Sequence, residues 1–441
     1  MIKNYNNKQI RIIKISKDYI KKAEIFKAST HHESKYFLSS WPGTSENIQL
    51  RKILNLKVSL LDNLIAFTKT QFIDFRFSSL NKTIPQVLKK RFKNLVITWL
   101  VSNEDFKKGK FYDRYFNMYA KDNLETLWIV LCDNKLIQIP KVREKNVILI
   151  REEFSNFFVT FAKIFYNFFK FSSKKNSNKL AISILDEVFK RITDHQVKNV
   201  ILPYEAQPFQ NYIFYNIHKY FPKINTYGCL HGLMPALPTI YIKRNGSPQK
   251  IIANGKTQKE ILIKYLGWKT EEVKVLPSTR FFKKDKTLIN QKILLSMHFS
   301  NSKLILSTLA NYLKSCKNFS LPVMKIRNHP AMKKSKKHNL LAKKINFILQ
   351  NNKQKFSEKV KKNISIFIGD TAGILEALER GLKVVHICSE PLFESFQKKI
   401  WKHLEVIRID PNLFMYILKR RSMHVFMSNK KYKNLTKWIK A

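Results

Sequence analysis

The chain has 441 residues, 44% of them hydrophobic, which is enough apolar surface for two domains with buried cores. Its four cysteines, Cys132, Cys229, Cys316 and Cys388, form no CxxC pair, which argues against a disulfide framework and against a thiolate zinc site. The formal net charge is +51, but the lysines are spread along the whole chain without a nucleic-acid motif, so nucleic acid is not the expected main partner.

The same sequence sets expectations for the compartment. The first residues lack the apolar core of a signal peptide, and no window of about 18 uncharged apolar residues occurs. We therefore expect a cytoplasmic protein that does not cross a membrane. Anionic lipid headgroups and nucleotide phosphates would both match its positive charge, so peripheral contact with the inner face of the cytoplasmic membrane is a further expectation.

Short apolar runs alternate with helical patterns, which indicates parallel sheets with covering helices. The first series of predicted strands covers residues 10–15, 94–100, 126–132, 147–150, 199–203, 225–230 and 250–254. After a polar stretch at 278–291, a second series covers residues 292–298, 322–327, 364–369, 383–388 and 405–409. We predict two doubly wound, Rossmann-like α/β domains, residues 1–285 and 286–441, with the last helix returning to the first domain.

One segment interrupts this regularity. Residues 151–175 carry phenylalanine at helical spacings on nearly every face, which predicts a helix buried in a domain core. Because Lys170, Lys174 and Lys175 follow the aromatic run, a helix lying in a membrane interface is the alternative.

In the first half, polar residues follow two consecutive predicted strands. Glu205 lies in "YEAQPFQ" after the strand at 199–203, and His231 follows the strand at 225–230. One interpretation is that either residue serves as a general base. The alternatives are that Glu205 caps a helix that begins near Pro208 and that His231 is a structural histidine.

In the second half, "PVMKIRNHP" brings basic side chains to the end of a predicted strand. Lys325, Arg327 and His329 alternate along it, so they would leave the same face of an extended chain, just before Pro330. The carboxyl edge of an open α/β sheet binds ligands, so these groups predict a phosphate site. The alternative is a solvated basic face, with Pro330 merely ending the strand.

The next unit predicts a second part of the same site. A strand leads into a turn and then a helix, and the candidate ligand-binding residues there are Gly369, Asp370, Thr371, Ala372, Gly373 and Glu376. Thr371 would donate to a phosphate and Glu376 would accept from a sugar hydroxyl. The alternatives are that Thr371 only caps the helix and that Glu376 only pairs with Arg380 at i+4.

Together these segments resemble the GT-B glycosyltransferases of bacterial surface polysaccharide synthesis, such as capsule or lipopolysaccharide. "HP" after a strand and "GDTAGILEALERGLKVV" are similar to the nucleotide-binding half of the sialyltransferase and Kdo-transferase types. "YEAQPFQ", "HG" and "KIIANGK" resemble the YExQPWE-like and QHG-like segments of surface carbohydrate biosynthesis proteins, and "LVSNEDFKKGKFYDRYF" at 100–116 belongs to the same pattern. The resemblance covers roughly residues 95–390.

The resemblance implies two domains facing each other across a cleft and a sugar transfer, either hexosyl or of the sialyl or Kdo type. The donor would be a nucleotide sugar, with a CMP-linked donor among the candidates, and the acceptor a glycan or lipid-linked glycan. No cofactor is expected, and no metal, because no Asp-x-Asp pair follows a strand. The transfer would be inverting. An epimerase, a glycerophosphate-type transferase, a non-catalytic assembly protein and a nucleic-acid binder are the alternatives.

Overall fold

The computed structural model describes residues 2–25, 38–41, 44–60, 80–83, 91–100, 102–107, 109–132, 144–152, 179–282, 290–316, 321–357, 359, 363–419, 425, 427 and 431–440. Residues 153–175 of the phenylalanine-rich segment and the predicted boundary at 285/286 lie outside the described residues. Within those ranges, no helix has both the length and the apolar character that a membrane crossing requires.

The described residues form ten α-helices and nineteen strands. Helices α1 to α10 are, in chain order, Ile2–Ile25, Ser45–Ile53, Lys179–His195, Pro208–Tyr220, Lys256–Leu266, Ser302–Ser315, Lys336–Gln350, Gly373–Glu379, Pro391–Glu394 and Leu435–Lys440. Strands β1 to β11 are Leu80–Thr83, Asn94–Trp99, Phe106–Lys107, Lys110–Asp113, Met118–Tyr119, Thr126–Cys132, Val147–Glu152, Asn199–Pro203, Asn225–Cys229, Lys250–Ala253 and Val273–Val275. Strands β12 to β19 are Lys292–Leu295, Leu321–Pro322, Lys325–Asn328, Phe356–Ser357, Ile364–Ile368, Lys383–Ile387, Leu404–Asp410 and Leu413–Leu418.

The first large sheet has the strand order β1-β7-β6-β2-β8-β9-β10-β11, and all its pairs are parallel except β1 with β7. From β2 the chain builds outward through β6 and β7, then returns to place β8 on the other side of β2. The strand order therefore reverses at β2. In a doubly wound sheet this switch point is where a ligand crevice forms at the carboxyl ends of the strands.

The second large sheet has the order β14-β12-β16-β17-β19-β18. Strand β12 pairs in parallel with both β14 and β16, so the winding direction reverses at β12. Strand β19 runs antiparallel to β17 and forms a hairpin with β18. These two sheets confirm the predicted fold class of two Rossmann-like α/β domains.

One predicted strand is wrong. Residues 10–15 lie inside α1 instead of forming a strand. The buried positions Gln9, Ile13, Ser16 and Ile20 recur every three or four residues, which is the period of a helix with one buried face. The run "IRIIKI" alone is too short to distinguish this period from the alternation of a strand.

Helix α1 joins the two halves of the chain. Gln9 Nε2 donates hydrogen bonds to the carbonyl oxygens of Leu392 and Ser395 at 3.1 and 2.9 Å, beyond the second sheet's β17. A second bond between the halves runs from Trp401 in the second half, whose indole N–H donates to the carbonyl of Ala236 in the first half at 2.9 Å. One continuous apolar cluster includes buried residues from both halves, so the two domains pack directly against each other.

The C-terminal helix α10 lies against the first sheet. The indole N–H of Trp438 donates to the carbonyl of Pro277 at 2.8 Å, and its ring packs edge-on against Phe116. The backbone N–H of Leu435 is held by Asn123 Oδ1 at 2.6 Å. The chain thus crosses from the second sheet back to the first before it ends at α10.

Candidate active site

The turn between β8 and α4 is held by the side chain of Gln210. Its Oε1 accepts hydrogen bonds from the backbone N–H groups of Glu205 and Gln207 at 3.0 and 3.1 Å, and its Nε2 donates to the carbonyl of Pro203 at 2.6 Å. Ala206 has a φ of 54°, a left-handed conformation that residues other than glycine rarely adopt. Such outliers persist where the surrounding contacts hold them, so the Glu205 side chain leaves from a fixed backbone.

Glu205 and His231 meet in front of the first sheet. Glu205 Oε1 lies 3.1 Å from His231 Nε2, and the Tyr115 ring packs edge-on against the imidazole with ring centroids 4.6 Å apart. The Glu205 side chain is 38% exposed, whereas that of His231 is only 10% exposed. The second ring nitrogen, His231 Nδ1, is buried and has no hydrogen-bond partner among the described residues. Of the pair, the carboxylate is therefore the group that faces open space.

This geometry argues against the alternative that Glu205 caps the helix after β8. Helix α4 begins at Pro208 with Gln207 at the N-cap, and the Glu205 carboxylate contacts His231. Burial acts to raise the pKa of Glu205, but the hydrogen bond and charge of His231, together with Gln207 and Arg280, outweigh it and lower the pKa. Glu205 is therefore ionised at neutral pH and available to accept a proton.

The segment that leaves the first sheet after β11 runs beside this pair. Thr279 Oγ1 donates to the carbonyl of Tyr115 at 3.3 Å, and Asn117 Nδ2 donates to the carbonyl of Thr279 at 2.9 Å. Ser278 Oγ accepts hydrogen bonds from the backbone N–H groups of Arg280 and Phe281, both at 3.1 Å. These bonds fix Arg280 in a turn next to Tyr115, whose ring contacts His231.

His329 follows the edge strand β14 of the second sheet. Its backbone N–H donates to the carbonyl of Leu295 at 3.0 Å, while its side chain is half-buried. Burial lowers the pKa of His329, and the positive charges of Arg280, His338 and Arg327 lower it further. The imidazole is therefore neutral at pH 7, so it offers a ligand hydrogen bonds instead of the fixed positive charge that the sequence pattern suggested.

The neighbouring predicted residues differ in exposure. Lys325 is exposed, Arg327 is half-buried, and the exposed Pro330 opens the 3-10 turn Pro330–Met332. Arg327 lies close enough to His329 to act on it electrostatically. The structure thus brings Arg327 and His329 together at the carboxyl end of β14, and Lys325 lies at the start of that strand.

The loop after β16 completes the candidate site. Gly369 has a φ of 79°, and a Cβ there would lie 2.5 Å from both the carbonyl oxygen of His298 and Ser296 Oγ, so only glycine fits. The backbone N–H of the next residue, Asp370, donates to that same His298 carbonyl at 3.2 Å. This loop is therefore pinned against the end of β12, at the switch point of the second sheet.

The contacts in this loop match the two alternatives to ligand binding, in which Thr371 binds the start of the helix and Glu376 pairs with Arg380. Thr371 Oγ1 accepts a hydrogen bond from the backbone N–H of Gly373 at 3.2 Å, so the hydroxyl binds the first N–H of α8, whose N-cap position is Ala372. Glu376 Oε1 pairs with the guanidinium of Arg380 at 2.7 Å. Ligand binding by Thr371 or Glu376 remains a prediction, and it would have to compete with these internal partners.

A buried group of titratable side chains lies behind the same loop. His386, Cys388 and Glu394 place possible metal-binding atoms within 4.8 Å of one another, and His386 Nε2 is 2.9 Å from the carbonyl of Gly369. Burial raises the pKa of Asp370 to about 7 and that of Glu394 to about 8, and it lowers the pKa of His386 to about 4. Near neutral pH Glu394 and His386 are therefore largely uncharged and Asp370 is partly protonated, which suits a buried cluster. The expectation that the reaction needs no metal stays a prediction.

The raised pKa values predict a pH-dependent stability. Asp370 and Glu394 hold their protons more tightly in the folded chain than in the unfolded one, so stability should fall as pH rises from about 4 to about 8. Asp370→Asn or Glu394→Gln should each reduce this pH-dependent loss in the free energy of unfolding by on the order of 1–4 kcal/mol. Melting temperatures across this range test it. Glu405→Gln, at an exposed position of β18, is the matched control. A slope unchanged in both buried variants would contradict the assignment.

Two residues of the site escaped the sequence interpretation. Tyr115 lies in the segment 100–116, whose resemblance was noted without assigning a role to any side chain. Arg280 lies in the polar stretch 278–291, which was interpreted only as a link between domains. Its signal was a single arginine between Ser-Thr and Phe-Phe, and one arginine among 82 lysines and arginines does not stand out.

Comparisons with known proteins give the following picture. No family model matches the chain, and no curated protein matches it. Among solved structures, a glycosyltransferase from Rickettsia africae is 12% identical with a TM-score of 0.35, over 70% of this chain and 88% of that one. A UDP-GlcNAc 2-epimerase from Neisseria meningitidis bound to UDP-GlcNAc is 11% identical with a TM-score of 0.37, over 70% and 85% of the two chains. The lipopolysaccharide outer core galactosyltransferase WaaB is 10% identical with a TM-score of 0.33, over 66% and 80%. At these identities and TM-scores, the likeness carries no argument about the activity of this chain.

Proposed function

We propose that the protein is a glycosyltransferase that moves a sugar from a nucleotide-activated donor to a glycan acceptor. The observation that carries the proposal is the placement of two unlike groups at the carboxyl ends of strands in the two sheets. The partly exposed, ionised carboxylate of Glu205 follows β8, and His329 follows β14, which contains Arg327. Arg280 acts electrostatically on both Glu205 and His329, which supports a role for both groups in one site.

The proposed reaction uses each of these groups once. Glu205 takes the proton from the acceptor hydroxyl while the acceptor oxygen forms a bond to the anomeric carbon of the donor sugar. The bond from that carbon to the phosphate oxygen breaks on the opposite face, and its electron pair leaves with the nucleotide, so the configuration inverts. Arg327 and Arg280 supply positive charge to the departing phosphate, and His329 supplies a hydrogen bond.

In this scheme His231 is a positioning residue. Its Nε2 contacts Glu205, and its Nδ1 is buried, so neither nitrogen is free to take the acceptor proton directly. The edge-on contact with Tyr115 holds the ring in place. The resemblance to surface polysaccharide enzymes supports a glycan or lipid-linked acceptor, and it keeps CMP among the candidate nucleotides.

The reaction class is tested first by ligand-dependent stabilisation. A ligand that binds only the folded chain raises stability by about 2.7 kcal/mol at a hundredfold excess over its Kd. We expect CMP, CDP or UDP to raise the melting temperature by several degrees, and the corresponding nucleoside to raise it less. Stabilisation by heparin or nucleic acid alone, with none from any mononucleotide, would overturn the proposal.

A lipid-linked acceptor also predicts peripheral membrane binding. Each well-placed basic residue contributes about 1 kcal/mol to binding an anionic bilayer, and salt screens this attraction. The chain should therefore float with phosphatidylglycerol-containing vesicles at low salt and be released at high salt. Pure phosphatidylcholine vesicles are the control. Equal recovery with both kinds of vesicle would show that the charge of +51 has no part in membrane binding.

A further inference from the structure

Three side chains that the proposed reaction does not use lie together inside the second domain. His386 belongs to β17, Cys388 follows two positions later, and Glu394 is the last residue of the short helix α9. All three are fully buried. A ring nitrogen, the thiol sulfur and a carboxylate oxygen lie within 4.8 Å of one another. Because the group is closed off from solvent, its role differs from contact with a substrate.

The histidine of this cluster is oriented as metal-binding histidines usually are. Its Nε2 lies 2.9 Å from the carbonyl oxygen of Gly369, so the ring N–H on that side donates to the backbone. Such a bond to a carbonyl commonly fixes the ring of a histidine that binds a metal through its other nitrogen. That other nitrogen, Nδ1, lies 3.4 Å from Cys388 Sγ. Ligand atoms about 2.0 and 2.3 Å from a tetrahedral zinc ion are about 3.5 Å apart, so this pair already has the required spacing.

The Glu394 carboxylate supplies the independent observation that points to a cation. Its Oε2 accepts a hydrogen bond from the backbone N–H of Ser389 at 2.8 Å, which holds the carboxylate in place. Its Oε1 is buried and has no hydrogen-bond partner among the described residues. An unsatisfied buried acceptor is unfavourable, and a cation would satisfy it. A divalent ion would also balance the charges of one thiolate and one carboxylate, which leaves the buried group neutral.

The types of ligand atom indicate which metal fits. Mg²⁺ and Ca²⁺ take oxygen ligands, whereas imidazole nitrogen, thiolate sulfur and carboxylate oxygen are the three ligand types of Zn²⁺. Three protein ligands are enough to hold zinc, with water in the fourth position. The spacing H-x-C-x₅-E contains a single cysteine, so it does not stand out among the CxxC patterns that usually signal zinc.

We propose that His386, Cys388 and Glu394 bind one structural zinc ion. The ion ties the end of β17 to α9, the region where Gln9 of helix α1 makes its two hydrogen bonds to the second domain. It therefore stabilises the contact between the two domains and takes no part in the sugar transfer. The pH-dependent stability predicted above then belongs to the metal-free chain. The competing arrangement is a metal-free cluster in which the Tyr416 hydroxyl, 3.3 Å from His386 Nδ1, donates to the imidazole.

Zinc content and zinc-dependent stability test this site. The wild-type chain, purified without chelators, should contain about one zinc ion by mass spectrometry of the metal, and Cys388→Ser and Glu394→Gln should lose most of it. Cys316→Ser, at a buried cysteine just after α6, is the matched control and should keep the wild-type content. Wild type refolded with Zn²⁺ should melt about 5 to 10 °C higher than wild type refolded with EDTA, and Cys388→Ser should show no such difference.

A second measurement uses only the wild-type chain, so it holds even where Cys388→Ser fails to fold. Wild type refolded with Co²⁺ in place of Zn²⁺ should show thiolate-to-cobalt charge-transfer absorption in the near ultraviolet, which nitrogen and oxygen ligands do not give. No zinc in the purified wild type, no such absorption, or full zinc content in Cys388→Ser would each overturn the inference. The nucleotide-binding test of the proposed function is unaffected by any of these results.

Discussion

Glu205→Gln is expected to slow sugar transfer by about 10²- to 10⁴-fold, the usual contribution of a positioned general base. Glutamine keeps the shape of the side chain and can still contact His231, but it cannot accept the acceptor proton. The turn around Glu205 depends on bonds from Gln210 to backbone groups, so the substitution leaves them in place. Nucleotide affinity and melting temperature should therefore stay near wild type, while the transfer rate falls.

Donor hydrolysis gives this prediction a second readout. Water needs less orientation than a sugar hydroxyl, so hydrolysis of the donor should fall less than transfer in Glu205→Gln. The matched control is Glu260→Gln, an exposed carboxylate on α5 that should transfer at the wild-type rate. Transfer at the wild-type rate in Glu205→Gln would remove this carboxylate from the reaction.

His231→Asn separates the base from its support. Because His231 Nδ1 is buried and Nε2 contacts Glu205, its loss should lower the transfer rate less than the loss of Glu205. It should also move the acid limb of the pH–rate profile to higher pH, because the contact that lowers the pKa of Glu205 is gone. A larger loss in His231→Asn than in Glu205→Gln would instead assign the base to the histidine.

The sequence predicted the sheets well because several of their central strands are buried on both faces. Strands β6 and β16 are buried at every residue and apolar except at Thr126 and Ser365, and such runs between turn residues indicate parallel sheets. The N-terminal helix was mistaken for a strand because its six-residue apolar run shows no clear period. The hairpin partner β19 was not predicted, since nothing local marks "LFMYIL" as antiparallel to β17.

The site was predictable only where its residues follow strands. Glu205, His231 and His329 come shortly after β8, β9 and β14, so the fold brings the first two to the carboxyl edge of the first sheet and His329 to that of the second. Tyr115 and Arg280 come from loops whose positions depend on bonds between distant segments, such as Thr279 to Tyr115. Those bonds join residues 164 positions apart, and no local pattern in the sequence signals them.

His329→Ala is expected to lower donor turnover by about 10²- to 10³-fold, in line with removal of one hydrogen bond to a group that gains negative charge in the transition state. The fold should survive, because the imidazole is only half-buried and the bond to Leu295 uses the backbone. The donor affinity should fall as well, since the same hydrogen bond is made to the ground-state phosphate.

His338→Ala provides the contrasting variant for that measurement. His338 is buried, and its ring nitrogens contact Ser335 Oγ at 3.0 Å and the carbonyl of Ser296 at 2.9 Å. Its loss leaves a buried carbonyl unsatisfied and should cost about 1–3 kcal/mol of stability. Measured side by side, His329→Ala should have a lower turnover and an unchanged melting temperature, whereas His338→Ala should have a lower melting temperature. Wild-type turnover in a folded His329→Ala chain would exclude the imidazole from phosphate binding, and the site would then depend on Arg280 and Arg327.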